Sequence, residues 1–269
     1  MAAQVERLKQ RGVSPALAIV RVGQRPEDLS YERGALKRCE MVGITIKQFI
    51  LPDTVELTEL LHIVEAINQD AAIHGCLLFR PLPRHLDEAA VCAALAPSKD
   101  VDGITAGSLA GVFAGSGSGF PPCTAQACLE ILDYYGYELT GKRAVVVGRS
   151  LVIGKPAAML LLQRNATVTL CHTRTADLAA ECRRADVLIA AAGKAGMLGV
   201  SHIAPGQAVI DVGINLDADG MLVGDVDFAA AEPVADAVTP VPGGVGAVTT
   251  SVLARHVAEA AARLHGLGG

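Results

Sequence analysis

The stretch from Ala144 to Pro156, AVVVGRSLVIGKP, constrains this chain more than any other. Its opening, Ala144-Val145-Val146-Val147, is a short apolar and largely β-branched run, which reads as a buried parallel strand. The chain then turns at Gly148 and enters a helical pattern over 157–163, just beyond Pro156. Strand, glycine turn and helix together place backbone N–H groups and a helix N-terminus against a phosphate. The spacing, G-R-S-x-x-x-G-x-P, departs from the usual G-x-G-x-x-G. Arg149 and Ser150 stand where a cofactor phosphate would approach. A purely structural strand-to-helix turn is the alternative.

Length and composition bound the rest. At 269 residues the chain is one large domain or two small ones. It has no tryptophan and is 51% hydrophobic, so its core is built from Ala, Val, Leu and Ile. A net charge of −5 argues against a general nucleic-acid surface. No apolar run approaches the roughly 18–20 residues that span a bilayer. The first eleven residues are polar and charged, without the apolar segment of a signal peptide. The seven cysteines form no C-x-x-C pair and are odd in number, which points to reduced, mostly buried thiols in a cytoplasmic protein. Cys123 and Cys128 are too isolated to argue for a zinc site, so no metal is expected.

Along the chain, strands and helices alternate as in a parallel α/β sheet. Residues 1–11 read as a helix, 16–20 as a strand and 22–26 as a loop. Ser30 is placed to cap a helix over 31–41 that Gly43 stops. Strands at 45–50 and 75–79 enclose a helix at 58–69, and a further helix follows at 87–95. The segment 100–122 is rich in glycine and serine, weakest at 115–119, and a domain boundary is expected there. A long helix over 124–135 then bridges the two halves. Strands at 167–171, 186–191 and 208–212, a helix at 176–184, a rigid loop at 239–246 and a final amphipathic helix at 249–264 complete the pattern.

Five separated motifs then come together. They are Tyr31 to Ile44 (YERGALKRCEMVGI), Pro81-Leu82-Pro83, Lys99 to Gly103 (KDVDG), the Gly148 turn through Pro156, and Pro242 to Gly246 (PGGVG). In order, and over nearly the whole chain, they resemble the bifunctional methylenetetrahydrofolate dehydrogenase/methenyltetrahydrofolate cyclohydrolase family. The resemblance implies an α/β fold of two domains with a ligand cleft between them. One is an α/β folate-binding catalytic domain at 1–120, completed by the C-terminal helix at 249–269. The other is a Rossmann-like, parallel-sheet NAD(P)-binding domain at 121–248. It also implies a cytoplasmic homodimer acting on a tetrahydrofolate one-carbon substrate, with no nucleic-acid or membrane partner.

For the cofactor, the resemblance implies that Gly148, Arg149 and Ser150, with Ile153 and Gly154, contact the phosphates. Thr173 matches a position near the 2′-phosphate of NADP, between His172 and Arg174, and a guanidinium suits a phosphate dianion. An acidic residue there would have favoured the ribose hydroxyls of NAD. NADP is therefore favoured, with NAD left open and a solvated Arg174 as the alternative. Gly213 and Ile214 match the positions beside the nicotinamide. For the folate, Tyr31 matches the ring that stacks on the substrate, and Asp102 the carboxylate that accepts from the pterin edge. These two are the expected catalytic residues. Ala35, Leu78, Phe79, Arg80 and the loop Pro242, Gly243, Gly244, Val245 and Gly246 line the same substrate, although a rigid turn also explains the glycines.

One departure carries consequences. The family's catalytic lysine, four residues after the tyrosine, is Ala35 here. Lys37 lies about 240° around the helix from Tyr31, against about 40° for Ala35. Arg38 is nearly in line with Tyr31, but a guanidinium does not lose its proton. The glutamine that partners the lysine in the family is Phe79 here, so both members of one polar pair have become apolar together. Hydrolysis of a methenyl bridge needs a proton moved, which the lysine serves. Hydride transfer is driven by the substrate's own nitrogen and needs mainly positioning. The expectation is a methylenetetrahydrofolate dehydrogenase whose cyclohydrolase is lost or weak. A bifunctional enzyme with Lys37 or Arg38 as substitute base, a non-catalytic folate- or nucleotide-binding regulator, and an enzyme for an altered pterin-like substrate are the rivals. Ala125 and Ala247, usually proline in the family, are expected to loosen loops near the ligands.

Overall fold

The computed structural model describes residues 1–267, so the last two residues of the expected 249–269 segment lie outside the described residues. The chain divides into two compact units, Met1–Cys123 with the chain from Thr250 onward, and Thr124–Thr249.

In the first unit, α1 (Ala2–Gln10), β1 (Ala16–Val22), α2 (Pro26–Val42), β2 (Thr45–Leu51), α3 (Leu57–Gln69) and β3 (Gly75–Leu78) alternate. They are followed by α4 (Glu88–Ala94) and α5 (Ala106–Ala114). The strands form a parallel sheet in the order β2-β1-β3, with Leu17 of β1 paired to Ile46 and Gly75. Parallel strands need helical crossovers that cover the sheet faces, so the central strand is apolar at nearly every position. Every residue of β1 is buried, and Ala18 and Val20 pack with Leu60, Val64 and Ile67 of α3 and Val91 of α4.

Two local expectations change. Ser30 lies inside α2 and does not cap it. The helix begins at Pro26, whose fixed φ suits a first helical position, and Arg25 pairs with Asp28 at 2.8 Å across the first turn. The glycine–serine stretch 115–119, expected as the weakest point of its segment, is closely packed instead. Gly115 closes α5 in the left-handed region (φ 65°), and the chain packs straight back: a Cβ on Gly111 would sit 2.0 Å from the Ser118 carbonyl oxygen. The division falls after Cys123.

α6 (Cys123–Tyr134) opens the second unit from its second residue, Thr124. Then come β4 (Arg143–Val147), α7 (Gly154–Gln163), β5 (Thr167–Cys171), α8 (Leu178–Arg183), β6 (Val187–Ala190) and β7 (Ala208–Asp211). The hairpin β8 (Asn215–Leu216) and β9 (Leu222–Val223), α9 (Phe228–Ala231), β10 (Ala237–Val238) and α10 (Val245–Leu264) complete the chain. Five strands make a parallel sheet in the order β10-β7-β6-β4-β5. The chain runs from β4 outward to β5 and returns past β4 to β6. The C-terminal end of β4 is therefore the point where strand order reverses, the place where open α/β sheets hold ligands.

Gly148 sits at that point with φ 131°, and a Cβ there would lie 2.1 Å from the Ala191 carbonyl oxygen. A Cβ on Gly154 would lie 2.1 Å from the Gly148 oxygen. Both glycines are thus required by backbone packing before any ligand is considered. Gly148→Ala should lower Tm by several degrees, since a strained φ alone costs about 1–3 kcal/mol and the clash adds to it. A thermal melt checks this, and an unchanged Tm would contradict the packing account.

α7 starts at Gly154, ahead of the expected 157, with Pro156 third in the helix, where its missing N–H has no helical partner to lose. α10 likewise starts at Val245, so Val245 and Gly246 belong to a helical first turn and not to a loop. Ala125 and Ala247 are the third residues of α6 and α10. Proline is tolerated at such positions but not needed there, so alanine keeps these turns helical and does not loosen a loop. Among the described residues no helix is long and apolar enough to cross a membrane.

Candidate active site

In the first unit, Tyr31 and Ala35 stand one turn apart on α2. Ala35 is fully buried, whereas Lys37 is exposed. Phe79 directly follows β3, donating its N–H to the Val20 carbonyl at 3.0 Å, and its ring meets that of Tyr31 edge to face, centroids 5.9 Å apart at 79°. An aromatic edge contact therefore occupies the neighbourhood where the resemblance expects a lysine–glutamine pair. Leu78 is 3% exposed and packs in the core of this unit. Arg80 lies 3.7 Å from Glu88, which also accepts from the Leu82 N–H at 2.8 Å.

Asp102 is held by the turn that carries it. The Asp100 carboxylate accepts from the N–H groups of Ile104 (2.9 Å) and Thr105 (2.7 Å). Val101 is seated on Gly75, where a Cβ would come within 2.6 Å of it. Gly103, at φ 67°, lies so close to Pro122 that a Cβ would sit 2.4 Å from the proline nitrogen. The thiol of Cys123, which opens the helix after Pro122, donates to the Val101 carbonyl at 3.2 Å and so ties the same turn. Burial pushes the Asp102 carboxyl up to about 6, the Cys123 thiol opposing and the Asp100 charge adding to the rise. Burial, followed by the charge of Asp102, holds the Tyr31 phenol well above its ordinary value. The result is a carboxylate with acceptor capacity to spare beside a neutral aromatic ring.

Sequence reasoning missed what anchors Tyr31. Its neighbour Glu32 is 4% exposed and accepts from Arg21 Nε at 2.8 Å and Gln48 Nε2 at 2.7 Å, tying α2 to β1 and β2. The only signal was an acidic residue on a face otherwise marked by Ala35 and Cys39.

In the second unit, Arg149 and Ser150 are exposed beyond β4. Ser150 closes the turn, its Oγ accepting from the Ile153 N–H at 3.1 Å and its carbonyl from the Lys155 N–H at 3.0 Å. Beyond β5, His172 receives the Arg174 N–H on Nδ1 at 3.0 Å and donates its own N–H to Thr175 Oγ1 at 2.9 Å, leaving Thr173 and Arg174 exposed. The next acid, Asp177, already caps α8 through the Ala180 N–H at 2.9 Å.

The rim beyond β6 and β7 is tied by two aspartates that the sequence did not single out. Asp211 accepts from the N–H groups of Gly213, Asp225 and Val226, each at 2.9 Å. Asp225 accepts from those of Ala192 (2.5 Å), Gly193 (2.9 Å) and Lys194 (2.8 Å). Gly213 packs against Asp225, where a Cβ would lie 2.3 Å from its nitrogen, and Ile214 projects with 69% exposure. In the stretch 242–246, Gly243 takes φ 100° and Gly244 lies against the Pro240 carbonyl, while Val245 is buried.

Comparison with known proteins decides the family. Residues 1–102 match the catalytic domain of tetrahydrofolate dehydrogenase/cyclohydrolase, and residues 122–265 match its NAD(P)-binding domain. The chain belongs to the tetrahydrofolate dehydrogenase/cyclohydrolase family. It is 52% identical to the bifunctional protein FolD of Carboxydothermus hydrogenoformans over 98% of this chain and 93% of that one. Its structure is similar to the bifunctional FolD dehydrogenase/cyclohydrolase of Campylobacter jejuni, with a TM-score of 0.94 and 36% identity over 97% and 93% of the two chains. It is also similar to the FolD of Trypanosoma brucei complexed with NADP and an inhibitor, at 0.92 and 35% over 97% and 92%. Within this family the two aspartate-tied loops and the Gly148 turn belong to the NAD(P)-binding part, and the Tyr31–Phe79–Asp102 group to the catalytic part.

Proposed function

We propose that this chain is an NADP-dependent 5,10-methylenetetrahydrofolate dehydrogenase with little or no cyclohydrolase activity. The observation that carries the second half is the buried Ala35 beside the edge-to-face contact of Tyr31 and Phe79. No group that gains and loses a proton near neutral pH stands at that position.

The residues present fit NADP. Two exposed turns at the C-terminal ends of β4 and β5, Arg149-Ser150 and Thr173-Arg174, offer guanidinium and hydroxyl donors, and the acid nearest to the second turn is engaged as a helix cap. Bound there, NADP supplies the acceptor for the hydride leaving the methylene carbon. Arg149, Ser150, Ile153 and Gly154, with the close turn at Gly148, would hold its phosphates; His172, Thr173 and Arg174 its 2′-phosphate; Gly213 and Ile214 its nicotinamide side. Tyr31 stacks on the folate, and Asp102 accepts from the pterin N–H groups. The Pro242 to Gly246 segment offers backbone at close range. A cytoplasmic homodimer completes the proposal.

Arg174→Ala should raise the KM for NADP about 10–100-fold and leave that for NAD nearly unchanged, as expected for loss of a charge-assisted contact. Initial rates with both cofactors check it. Purified chain with the folate and either cofactor should show growth of the reduced-nicotinamide band, and its absence would overturn the proposal. The names of the relatives favour one second reading, a fully bifunctional enzyme. That reading needs Lys37, now exposed, or another base to reach the substrate, and hydrolysis of the methenyl compound above the buffer rate would support it.

A further inference from the structure

We propose, resting on the assignment of Gly213 and Ile214 to the nicotinamide side made above, that Asp225 is a positioning residue for the nicotinamide half of NADP, joining the loops that follow β6 and β7. Asp225 comes just after β9 and is fully buried. Its Oδ2 accepts from the N–H groups of Ala192 (2.5 Å) and Gly193 (2.9 Å). Its Oδ1 accepts from the Lys194 N–H (2.8 Å) and from Asn215 Nδ2 (2.9 Å). A carboxylate offers about four lone-pair sites, and here four donors take them. The side chain is therefore committed to the two loops, whose outer surface includes the exposed Gly193, Lys194 and Ile214.

The residue is itself held in place. Its N–H donates to Asp211 Oδ1 at 2.9 Å, and its carbonyl accepts from the Leu198 N–H at 2.9 Å. Gly224 before it lies so close to Asp211 that a Cβ would sit 1.8 Å from Oδ2. The 192–194 N–H groups and the Asn215 amide meet on this one fixed carboxylate, so the spacing between the two loops is set there. The phosphate turn is built without it. The Ala191 N–H donates to the Val147 carbonyl at 2.8 Å, and it is the Ala191 carbonyl that packs on Gly148. The Thr173-Arg174 turn lies beyond β5, on the other side of β4. Asp225 thus governs the β6–β7 side of the sheet alone. An amide cannot replace it, because one oxygen accepts from two donors at most and the NH2 would face N–H groups.

The test compares wild type, Asp225→Asn and Asn215→Ala in the full-length chain, by calorimetric titration with NADP and with adenosine 2′,5′-bisphosphate, which lacks the nicotinamide half. Asn215→Ala removes one donor to the carboxylate and should weaken NADP about tenfold, the scale of one charge-assisted hydrogen bond. Asp225→Asn strands several N–H groups and should weaken it about 100-fold. Neither should change the affinity for the bisphosphate. An unchanged NADP affinity in Asn215→Ala, or an equal loss for both ligands, would overturn the proposal, the second because it would mark a general loosening of the unit. Should Asp225→Asn not fold, Asn215→Ala still decides. A readout without ligand is amide hydrogen exchange. Exchange at 192–194 should quicken in Asp225→Asn and stay as in wild type in Asn215→Ala, and unchanged exchange there in Asp225→Asn would overturn the proposal. A wild-type chain that bound neither ligand would instead overturn the cofactor reading itself, and this proposal with it.

Discussion

The double substitution Ala35→Lys with Phe79→Gln should raise hydrolysis of 5,10-methenyltetrahydrofolate by about 10²–10⁴-fold, the range that a positioned acid–base group contributes. Ala35 is fully buried on the Tyr31 face of α2, and Phe79 presses its ring on Tyr31, so the two new side chains enter one small neighbourhood. Their effects should be strongly non-additive. Lysine alone would bury an ammonium among aromatic edges without a partner, at a cost in stability and with its proton affinity lowered. Glutamine alone would leave an unsatisfied amide and no base. Only the pair supplies both the titrating group and its hydrogen-bond partner. Dehydrogenase turnover should survive, because Asp102 and the second unit are unchanged, with the folate KM altered by loss of the Phe79 ring against Tyr31. A double variant that hydrolyses no faster than buffer would place the deficit elsewhere.

The second large effect belongs to Asp102. Asp102→Asn should lower kcat/KM for the folate by about 10²–10³-fold, since removing the charged partner of a buried hydrogen-bonded contact costs about 2–5 kcal/mol. The pH profile adds a sharper mark. With its carboxyl raised to about 6, Asp102 in its proposed role would accept from the pterin only above that pH. The kcat/KM of the unmodified chain should then fall about tenfold per pH unit on the acid side of 6. Asp102→Asn should flatten that limb. Folding responds in the opposite direction: a carboxyl raised in the native state favours the native state at low pH and loses that contribution as pH rises through about 6. Acidification therefore weakens binding without Asp102 weakening the fold. A limb that persists in Asp102→Asn would assign the titration to another group.

The parts of the chain governed by local periodicity were legible in its sequence. β5 occupies the expected 167–171, and the Gly148 turn lies at the end of a buried β-branched strand as its composition requires. Helix starts were less so, because a proline at the first or third helical position reads as a breaker while the geometry accepts it, as at Pro26 and Pro156. α5 was hidden by its alanine and glycine content, and the glycine–serine return after it read as the weakest point of its segment, although its glycines are there for close packing. The Asp211–Asp225 ties and the buried Arg21–Glu32–Gln48 group carry no local pattern. Each joins groups separated in sequence, and only the fold reveals that their carboxylates are spoken for. The Ala35 substitution is the reverse case. One residue at one position, read against the face of α2 it shares with Tyr31, carries the proposal that hydrolysis is lost.

The most direct measurement is a paired assay on a single preparation of the unmodified chain. NADP-dependent oxidation of 5,10-methylenetetrahydrofolate is followed at the reduced-nicotinamide band, and hydrolysis of 5,10-methenyltetrahydrofolate against a buffer blank. The account predicts clear oxidation, with hydrolysis at the buffer rate. Hydrolysis well above the blank would contradict it, and would mean that a base other than the absent lysine serves the site.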